Sequence, residues 1–360
     1  MGERDPWLTP WSEVPTTSRD DIASRFEETV ADGSLELDAV LEAFARTPAA
    51  PFRGRYHVFL SAGRTGALSA FLYDKAMCRV YLACVRRRVP PWIRPARVAL
   101  VGTSDPAHTL PRSAAAFGGA TVRTIGLQDG LDHCLESLSA FDPDAIFGFS
   151  SAVALLAEAQ LAGAISLAPE VVLVGTDTLT EDARAAVERA WGRRPLDVYA
   201  TTEAGVVAFQ CWEGDGLHVN EDVVRLEVES GRVVLTNLVN RVQPIVRYTI
   251  ADEIRTLDEP CPCGLPFRRV ELLGGRSVDV WHLPGRAGRR AVIHPIVVRS
   301  ALDRAAGVTR SSAEQVDGRF VVSVAGPADL DDVRRRLVGA LERAGADTNA
   351  FALSVERARE

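Results

Sequence analysis

Between residues 97 and 199 the chain alternates short apolar runs with helical patterns, and this alternation restricts its fold more than any other feature. RVALVG at 97–102, Thr121–Ile125, Ala145–Phe149, Glu170–Val174 and Leu196–Tyr199 read as strands. Helical patterns fall between them, near Thr109–Phe117 and across Asp129–Phe141, Ser150–Gly163 and Thr180–Trp191. Each crossover helix must cover a face of a parallel sheet, so the order predicts a doubly wound α/β layer. Upstream, YHVFL at 56–60 predicts a strand that feeds a Gly-rich turn at 61–66, followed by a helix from Leu68 to Arg88. Strand, Gly-rich turn and helix in that order aim backbone amides at an anion.

From Gly205 to Asp258 the pattern changes to short β segments, VVAFQCW, VRLEVES, GRVVLTNL and IVRYTI, joined by Gly/Asp turns. Past Asp279 a new unit is expected: strand Ala291–Ile293, helix Pro295–Ala306, strands Ser311–Gln315 and Arg319–Val324, helix Leu330–Ala344 and strand Ala350–Val355. Helical patterns over Arg19–Asp32 and Leu35–Arg46 open the chain, with Ser18 or Thr17 as cap. The fold class expected is therefore α/β. A large N-terminal domain, 1–279, would hold doubly wound sheets and a β-rich subdomain, and a small mobile α+β C-terminal domain would span 280–360.

Bulk composition excludes several functions. A chain of 360 residues with 47% hydrophobic and 25% charged residues is an ordinary globular composition. No apolar run approaches the roughly 20 residues that cross a bilayer, and the opening PWLTPW is no basic leader, so a cytoplasmic protein without membrane contact is expected. A net charge of −7 argues against nucleic-acid binding. The one basic run, Arg86-Arg87-Arg88, suits the negative end of a helix dipole. Six cysteines without a secretory leader suggest reduced thiols or metal ligands.

The loop Thr201-Thr202-Glu203-Ala204-Gly205 follows an apolar strand and presents hydroxyls beside one carboxylate. Hydroxyls donate to phosphoryl oxygens, and a carboxylate holds a hard cation such as Mg²⁺. An ordinary polar turn is the plainer reading. Farther on, Cys261 and Cys263 sit in a Cys-Pro-Cys-Gly turn, and Cys211 and His218 lie on preceding β segments. Four such donors would close a tetrahedral structural zinc site, or they are four unrelated reduced side chains near a hairpin. Cys78, Cys84 and Cys134 lie on helical patterns and read as small core residues.

YATTEAG at 199–205, TNLVNRVQPIVRYTIAD at 236–252, CPCG at 261–264 and GGRSVD at 274–279 follow one another in an order that resembles the adenylate-forming superfamily, specifically the phenylacetate–CoA ligase-like branch. The resemblance covers roughly residues 56–281. It implies that Ser61, Arg64 and Thr65 lie in the ATP phosphate loop, although this loop departs from the family pattern at Ala62, Arg64 and Leu68. Arg64 would pair with a phosphate or fill its space, unless the loop is a purely structural turn. It implies that Gly175, Thr176 and Asp177 run along adenine, unless they form a plain strand-to-helix turn. Tyr199 would stack on adenine, Thr202 would meet the α-phosphate, Glu203 would carry magnesium, and Asp252 and Arg276 would hold the ribose. Phe147, Phe149, Ala204 and Gly205 would line the acyl pocket, with a core role as the alternative for the phenylalanines. Arg247 and Arg241 would stabilise the sheet and the loop.

The family brings a lysine from its C-terminal domain to the reacting carboxylate. The only lysine in this chain is Lys75, on the expected helix after the Gly-rich turn. Arg357 or Arg359 would be a weak substitute, since a guanidinium is not a point charge. The leading expectation is an acyl- or aryl-activating enzyme that forms an acyl-adenylate from ATP and a carboxylate and passes the acyl group to a thiol of CoA or an acyl carrier protein. An ATP-independent enzyme acting on an activated thioester and a non-catalytic nucleotide-binding paralogue are the alternatives.

Overall fold

The structure is a computed structural model. It describes residues 10–48, 50–62, 68–87, 93–105, 108–229, 232–273, 280–302, 305–308, 310–316 and 318–358. The chain divides into two compact units: one comprises Met1–Ser61, Ser69–Tyr81 and Ala200–Gly275, the other Ala62–Leu68, Leu82–Tyr199 and Arg276–Glu360.

In the second unit, parallel strands stand in the spatial order Leu196–Thr201, Val171–Gly175, Ala145–Phe149, Arg97–Gly102, Thr121–Gly126. Ala145–Phe149 and Val171–Gly175 are buried at every position, which explains their unbroken apolar runs. The chain passes from Arg97–Gly102 outward to Thr121–Gly126, then crosses back to Ala145–Phe149 on the other side. That reversal is a doubly wound switch point, and ligands of such sheets bind at the carboxyl ends of the strands flanking it, here Gly102 and Phe149. Helix Ser150–Leu161 leaves the sheet directly from Phe149 and buries Ala152, Val153, Leu155, Leu156 and Ala157. Helix Glu181–Trp191 is capped by Thr180, whose hydroxyl accepts from Ala183 N at 3.2 Å, and it stops at Gly192 in the left-handed region.

The segment after residue 280 has a core of its own, including Ile293, Val297, Phe320, Val322, Val324, Leu337 and Leu341. Strands Arg310–Val316, Arg319–Ala325 and Ala352–Arg357 form its sheet, and helix Leu330–Arg343, capped by Asp329, packs on it. The expected strand near Ala291 is half of a hairpin, Trp281–Pro284 with Arg290–Ile293. The expected helix from Pro295 is present over Pro295–Leu302 among the described residues.

The first unit is the β-rich one. Val224–Glu229, Arg232–Asn237 and Tyr248–Ile250 form one antiparallel sheet, and Ile254–Leu257, Arg269–Leu272, Leu217–Val219 and Gly205–Gln210 pair in that order. One expectation is overturned here. Leu68–Tyr73 is not the start of a helix but a strand, paired with His57–Ala62. Ser69 through Tyr73 are all buried, so both faces of the strand carry core residues and no period of two is visible in the sequence. The helix starts at Lys75, where Asp74 accepts from Met77 N at 2.8 Å. Strand Leu68–Tyr73 therefore stands between the expected Gly-rich turn, whose residues 63–66 lie outside the described residues, and the helix from Lys75.

Two amides hold strand Leu68–Tyr73, and a third holds the turn before Gly205. Gln243 accepts from Leu72 N at 2.8 Å and donates to Ala70 O at 3.1 Å; Asn240 donates to Leu72 O at 3.0 Å; Asn237 donates to Ala204 O at 3.1 Å. All three are at least 94% buried, where an unpaired amide would be costly, so the polar residues of NLVNRVQ are a scaffold. Arg247, as expected, stabilises the sheet: it is buried, with its guanidinium paired to Glu227 at 3.6 Å and to Glu229. No helix among the described residues is long and apolar enough to cross a membrane.

Candidate functional site

Strand Gly205–Gln210 has the Glu203 loop at one end and Cys211 at the other. Gly205 sits at φ +78°, and a Cβ there would lie 3.3 Å from Met77 Cε and 3.4 Å from Tyr81 Cδ2, so only glycine fits without displacing neighbours. Ala204 is fully buried with its carbonyl on Asn237. Thr201 Oγ1 accepts from Ala204 N at 3.1 Å, and the Tyr73 hydroxyl donates to Thr202 O at 3.0 Å. Turn, amide and phenol together fix the backbone on both sides of Glu203.

The Glu203 carboxylate is 4% exposed and already has partners. The Tyr248 hydroxyl donates to Oε1 at 3.2 Å, and Arg19 Nη2 lies 3.5 Å from the same oxygen. Burial, then the charge of Glu203, drives the Tyr73 phenol well above its ordinary value; the same two causes raise Tyr248, against the opposing effect of Arg19. Both phenols therefore stay protonated donors. Asp252 is exposed two residues beyond strand Tyr248–Ile250, so one strand carries Tyr248 at Glu203 and leads to Asp252. Arg19 escaped the reading of the sequence. Its only signal there is Ser18, which with Asp21 makes a capping box that sets Arg19 at the first helical position.

At the other end, Cys211, His218, Cys261 and Cys263 present donor atoms all within 4.8 Å of one another, the expected set. Cys211 Sγ lies 3.4 Å from Cys261 Sγ, and Cys263 Sγ lies 3.4 Å from His218 Nε2. His218 Nδ1 is 3.4 Å from Phe267 O, a contact that puts the proton on Nδ1 and leaves Nε2 as donor to a metal. A tetrahedral ion with bonds of about 2.3 Å to sulfur and about 2.0 Å to nitrogen has edges of about 3.5–3.8 Å, and the two close pairs lie near that span while the whole set stays within 4.8 Å. Gly214 lets the backbone pass, since a Cβ there would stand 2.8 Å from Cys261 Sγ. Arg269 donates to Asp215 O at 2.8 Å and to Glu259 O, tying together the loops that carry the thiols. Burial and the Cys261 thiol push Cys211 up to about 11; burial opposes the Cys261 thiolate too, but the Cys263 N–H and neighbouring thiols outweigh it and lower that group. All of the cysteines are free thiols, and Cys84 and Cys134 are buried as expected.

In the second unit the Gly175 turn is built around Asp177. Its carboxylate accepts from Ser150 N at 2.6 Å, from Ser151 N at 3.3 Å and from the Ser151 hydroxyl, so it caps helix Ser150–Leu161 from a neighbouring loop. Burial raises Asp177 despite these bonds. Thr176 is held at φ +77°, a strained position for a β-branched residue, which persists because Asp177 over-determines the turn. Asp177 thus has a capping role that the sequence did not disclose. Tyr199 is 8% exposed, and Gly175 is buried at the strand end.

Phe149 occupies the switch point. A Cβ at Gly102 would meet its ring at 2.8 Å, and the His108 and His294 rings lie 5.4 Å and 6.0 Å from it. Phe147, two residues earlier, is 6% exposed. His294 Nδ1 accepts from Ile296 N at 3.1 Å, so the ring is a helix cap with Pro295 at the first helical position, and its proton is on Nε2. Nε2 lies 2.7 Å from the Ser151 hydroxyl and donates to it. The sequence Nε2–H to Oγ–H to carboxylate runs opposite to the direction in which a histidine activates a serine, so Ser151 is not a prepared nucleophile. Burial, then Arg299, lowers His294 to about 3 and His108 to about 4, keeping both neutral.

Arg64, Thr65 and Arg276 lie outside the described residues, as does the side chain of Ser61, whose backbone ends in strand His57–Ala62. Arg357 donates to Ala328 O at 2.6 Å and to Gly326 O, so its guanidinium serves its own sheet edge. Arg359 is outside the described residues. Lys75 is exposed, and Arg86 closes its helix as expected.

No protein-family model matches the sequence, and no curated protein matches it. Among solved structures, 2-hydroxyisobutyryl-CoA ligase in complex with 2-HIB-AMP and CoA in the thioesterification state aligns over 96% of this chain and 78% of its own, with TM-score 0.56 and 17% identity. An open conformation of the same ligase, in complex with 2-HIB-AMP and CoA, aligns over 96% and 79%, with TM-score 0.54 and 16% identity. At such identities the likeness establishes fold alone: the chain shares the fold of this CoA ligase, in keeping with the mixed α/β fold expected from the order of motifs.

Proposed function

We propose that this chain is an acid–thiol ligase-like enzyme that binds adenylate at the Glu203 loop and acts on an acyl or aryl-acyl group, in the manner of the phenylacetate–CoA ligase-like branch. The observation that carries the reading is the Glu203 loop itself: a buried carboxylate, fixed by Tyr73 and Tyr248 and standing on Asn237, Asn240 and Gln243, on the fold of a ligase solved with an acyl-adenylate and CoA. Thr202 would meet the α-phosphate and Asp252 the ribose hydroxyls, where one carboxylate can accept two neighbouring O–H groups. The acyl group would lie at the switch point by Phe149, whose neighbouring imidazoles, His108 and His294, stay neutral and offer no charge to a second carboxylate. Ser61, Arg64, Thr65, Tyr199 and Arg276 complete the adenylate contacts in this reading. CoA is the acceptor we favour, with a carrier-protein thiol as the other option.

The Cys211, His218, Cys261 and Cys263 set would hold structural zinc, because four donors leave no open position for substrate. A second reading is favoured by one observation, the Arg19 guanidinium at Glu203: an enzyme that moves an already activated acyl thioester without ATP.

Incubation with ATP, magnesium, CoA and a panel of aryl and short acyl acids, followed by mass detection of AMP and acyl-CoA, tests the reading. Thioester and AMP formed together, and abolished in Asp252→Ala, are expected. Acyl exchange between thioesters with no AMP formed would favour the second reading, and neither product would remove both.

A further inference from the structure

The Glu203 carboxylate is where the motif places a divalent cation, yet a cation from the chain is already beside it. The Arg19 guanidinium reaches Oε1 at 3.5 Å, the atom that also accepts from Tyr248 at 3.2 Å. Several independent contacts build this placement. Thr17 bridges to Tyr248 in parallel register, with Thr17 N donating to Arg247 O at 2.9 Å and Thr249 N donating to Thr17 O at 2.8 Å. The Ser18–Asp21 capping box then starts the helix, and the Ser69 hydroxyl donates to Arg19 O at 3.3 Å. The N-terminal segment is thereby stitched along the strand that carries Tyr248, with Arg19 turned onto Glu203.

We propose that Arg19 is the resident cation of the Glu203 seat, taking the place of a divalent ion, so that this chain engages a nucleotide phosphate through a guanidinium and without magnesium. A carboxylate matched by a guanidinium is neutral as a pair, so an arriving Mg²⁺ would meet no net attraction there and a repelling charge at close range. A guanidinium is a planar fork that pairs with phosphoryl oxygens as readily as with a carboxylate, and the partly exposed Arg19 can turn one edge of it to a phosphate. The Arg19 side chain is 29% exposed against 5% for that of Glu203, so the open side of the pair belongs to the cation, as an anion site requires. A magnesium ion in the same seat would instead impose octahedral oxygen coordination at about 2.1 Å, and Tyr248 as a donor to Oε1 competes with that role.

This inference rests on the nucleotide-binding reading above. The test is calorimetric titration of ATP into the full chain with EDTA and again with excess Mg²⁺, for the wild type, Arg19→Ala and Arg19→Lys. Wild-type affinity is expected to change less than threefold between the two buffers. Arg19→Ala is expected to lose at least tenfold in EDTA and to regain affinity with Mg²⁺ as the vacated carboxylate takes the ion; Arg19→Lys, which keeps a charge, should fall between. Wild-type binding that requires Mg²⁺ would overturn the inference and leave the nucleotide reading standing, and that arm needs no variant to fold. Binding by no chain in either buffer would overturn both.

Discussion

The two ends of strand Gly205–Gln210 solve opposite problems in ion chemistry. At the Glu203 end a single hard carboxylate is met by a guanidinium from the same chain and by a phenol. At the Cys211 end three thiols and an imidazole crowd within 4.8 Å, a soft donor set for which the matching partner would be a metal ion and not a protein cation. Burial alone does not say whether a polar site needs an external ion. What decides is whether the chain supplies a counter-group of matching hardness and geometry. Glu203 has one, and the cysteine cluster has neighbours that share its own chemistry.

The most severe way to break this comparison is at the metal end. Cys261→Ser, or exhaustive chelation of the wild type, is expected to lower the midpoint of thermal unfolding by more than about 10 °C, because metal binding in a closed site is part of the folding free energy. An unchanged midpoint would mean that the thiols are merely packed. Next in size is the scaffold behind Glu203. Gln243→Leu strands the Leu72 N–H and the Ala70 carbonyl, and a loss of about 2–4 kcal/mol is expected from urea denaturation.

Arg19→Leu should cost about 1–3 kcal/mol, less than a fully buried pair because its side chain is 29% exposed. Adding Glu203→Gln should recover part of that loss, since the carboxylate no longer needs a cation; strict additivity of the two would mean that they do not interact.

The smallest effect at neutral pH lies in the second unit, and it appears only in acid. His294 has its pKa lowered to about 3 in the folded chain, whereas an unfolded histidine titrates near 6.5. Below 6.5 the unfolded chain takes a proton that the folded one refuses, so this group makes stability fall as the pH falls. His294→Asn keeps a helix-capping side chain and removes the titration. Relative to wild type it should gain about 3 kcal/mol between pH 7 and pH 4. The difference between the two proteins is the quantity to read, because Asp197, which burial pushes up to about 7, works in the opposite direction and cancels in it.

The parallel layer was legible in the sequence because its central strands, Ala145–Phe149 and Val171–Gly175, are unbroken apolar runs buried at every position, and each leads to a helix, one of them marked by the cap at Thr180. The same property hid the strand Leu68–Tyr73. Its six residues, LSAFLY, have no polar alternation, and beside a Gly-rich turn they pass for a helix; Asp74 was the cap that marked the true start. The thiol cluster was legible because two cysteines share one turn and the partners lie on adjacent strands. Arg19 was not. It is separated from Glu203 by more than half the chain, and nothing local marks it beyond the cap at Ser18. Asp177 and His294 were read for ligand contact or passed over, while the fold uses both as helix caps, a role that depends on which helix ends nearby.

One measurement addresses the comparison directly: equilibrium dialysis of the full chain against saturating ATP with limiting Zn²⁺ and Mn²⁺, and counting of retained metal by mass spectrometry. The account expects one zinc per chain, lost in Cys261→Ser, and no manganese beyond what free ATP carries. A manganese ion retained by the wild type and released by Glu203→Gln would contradict it.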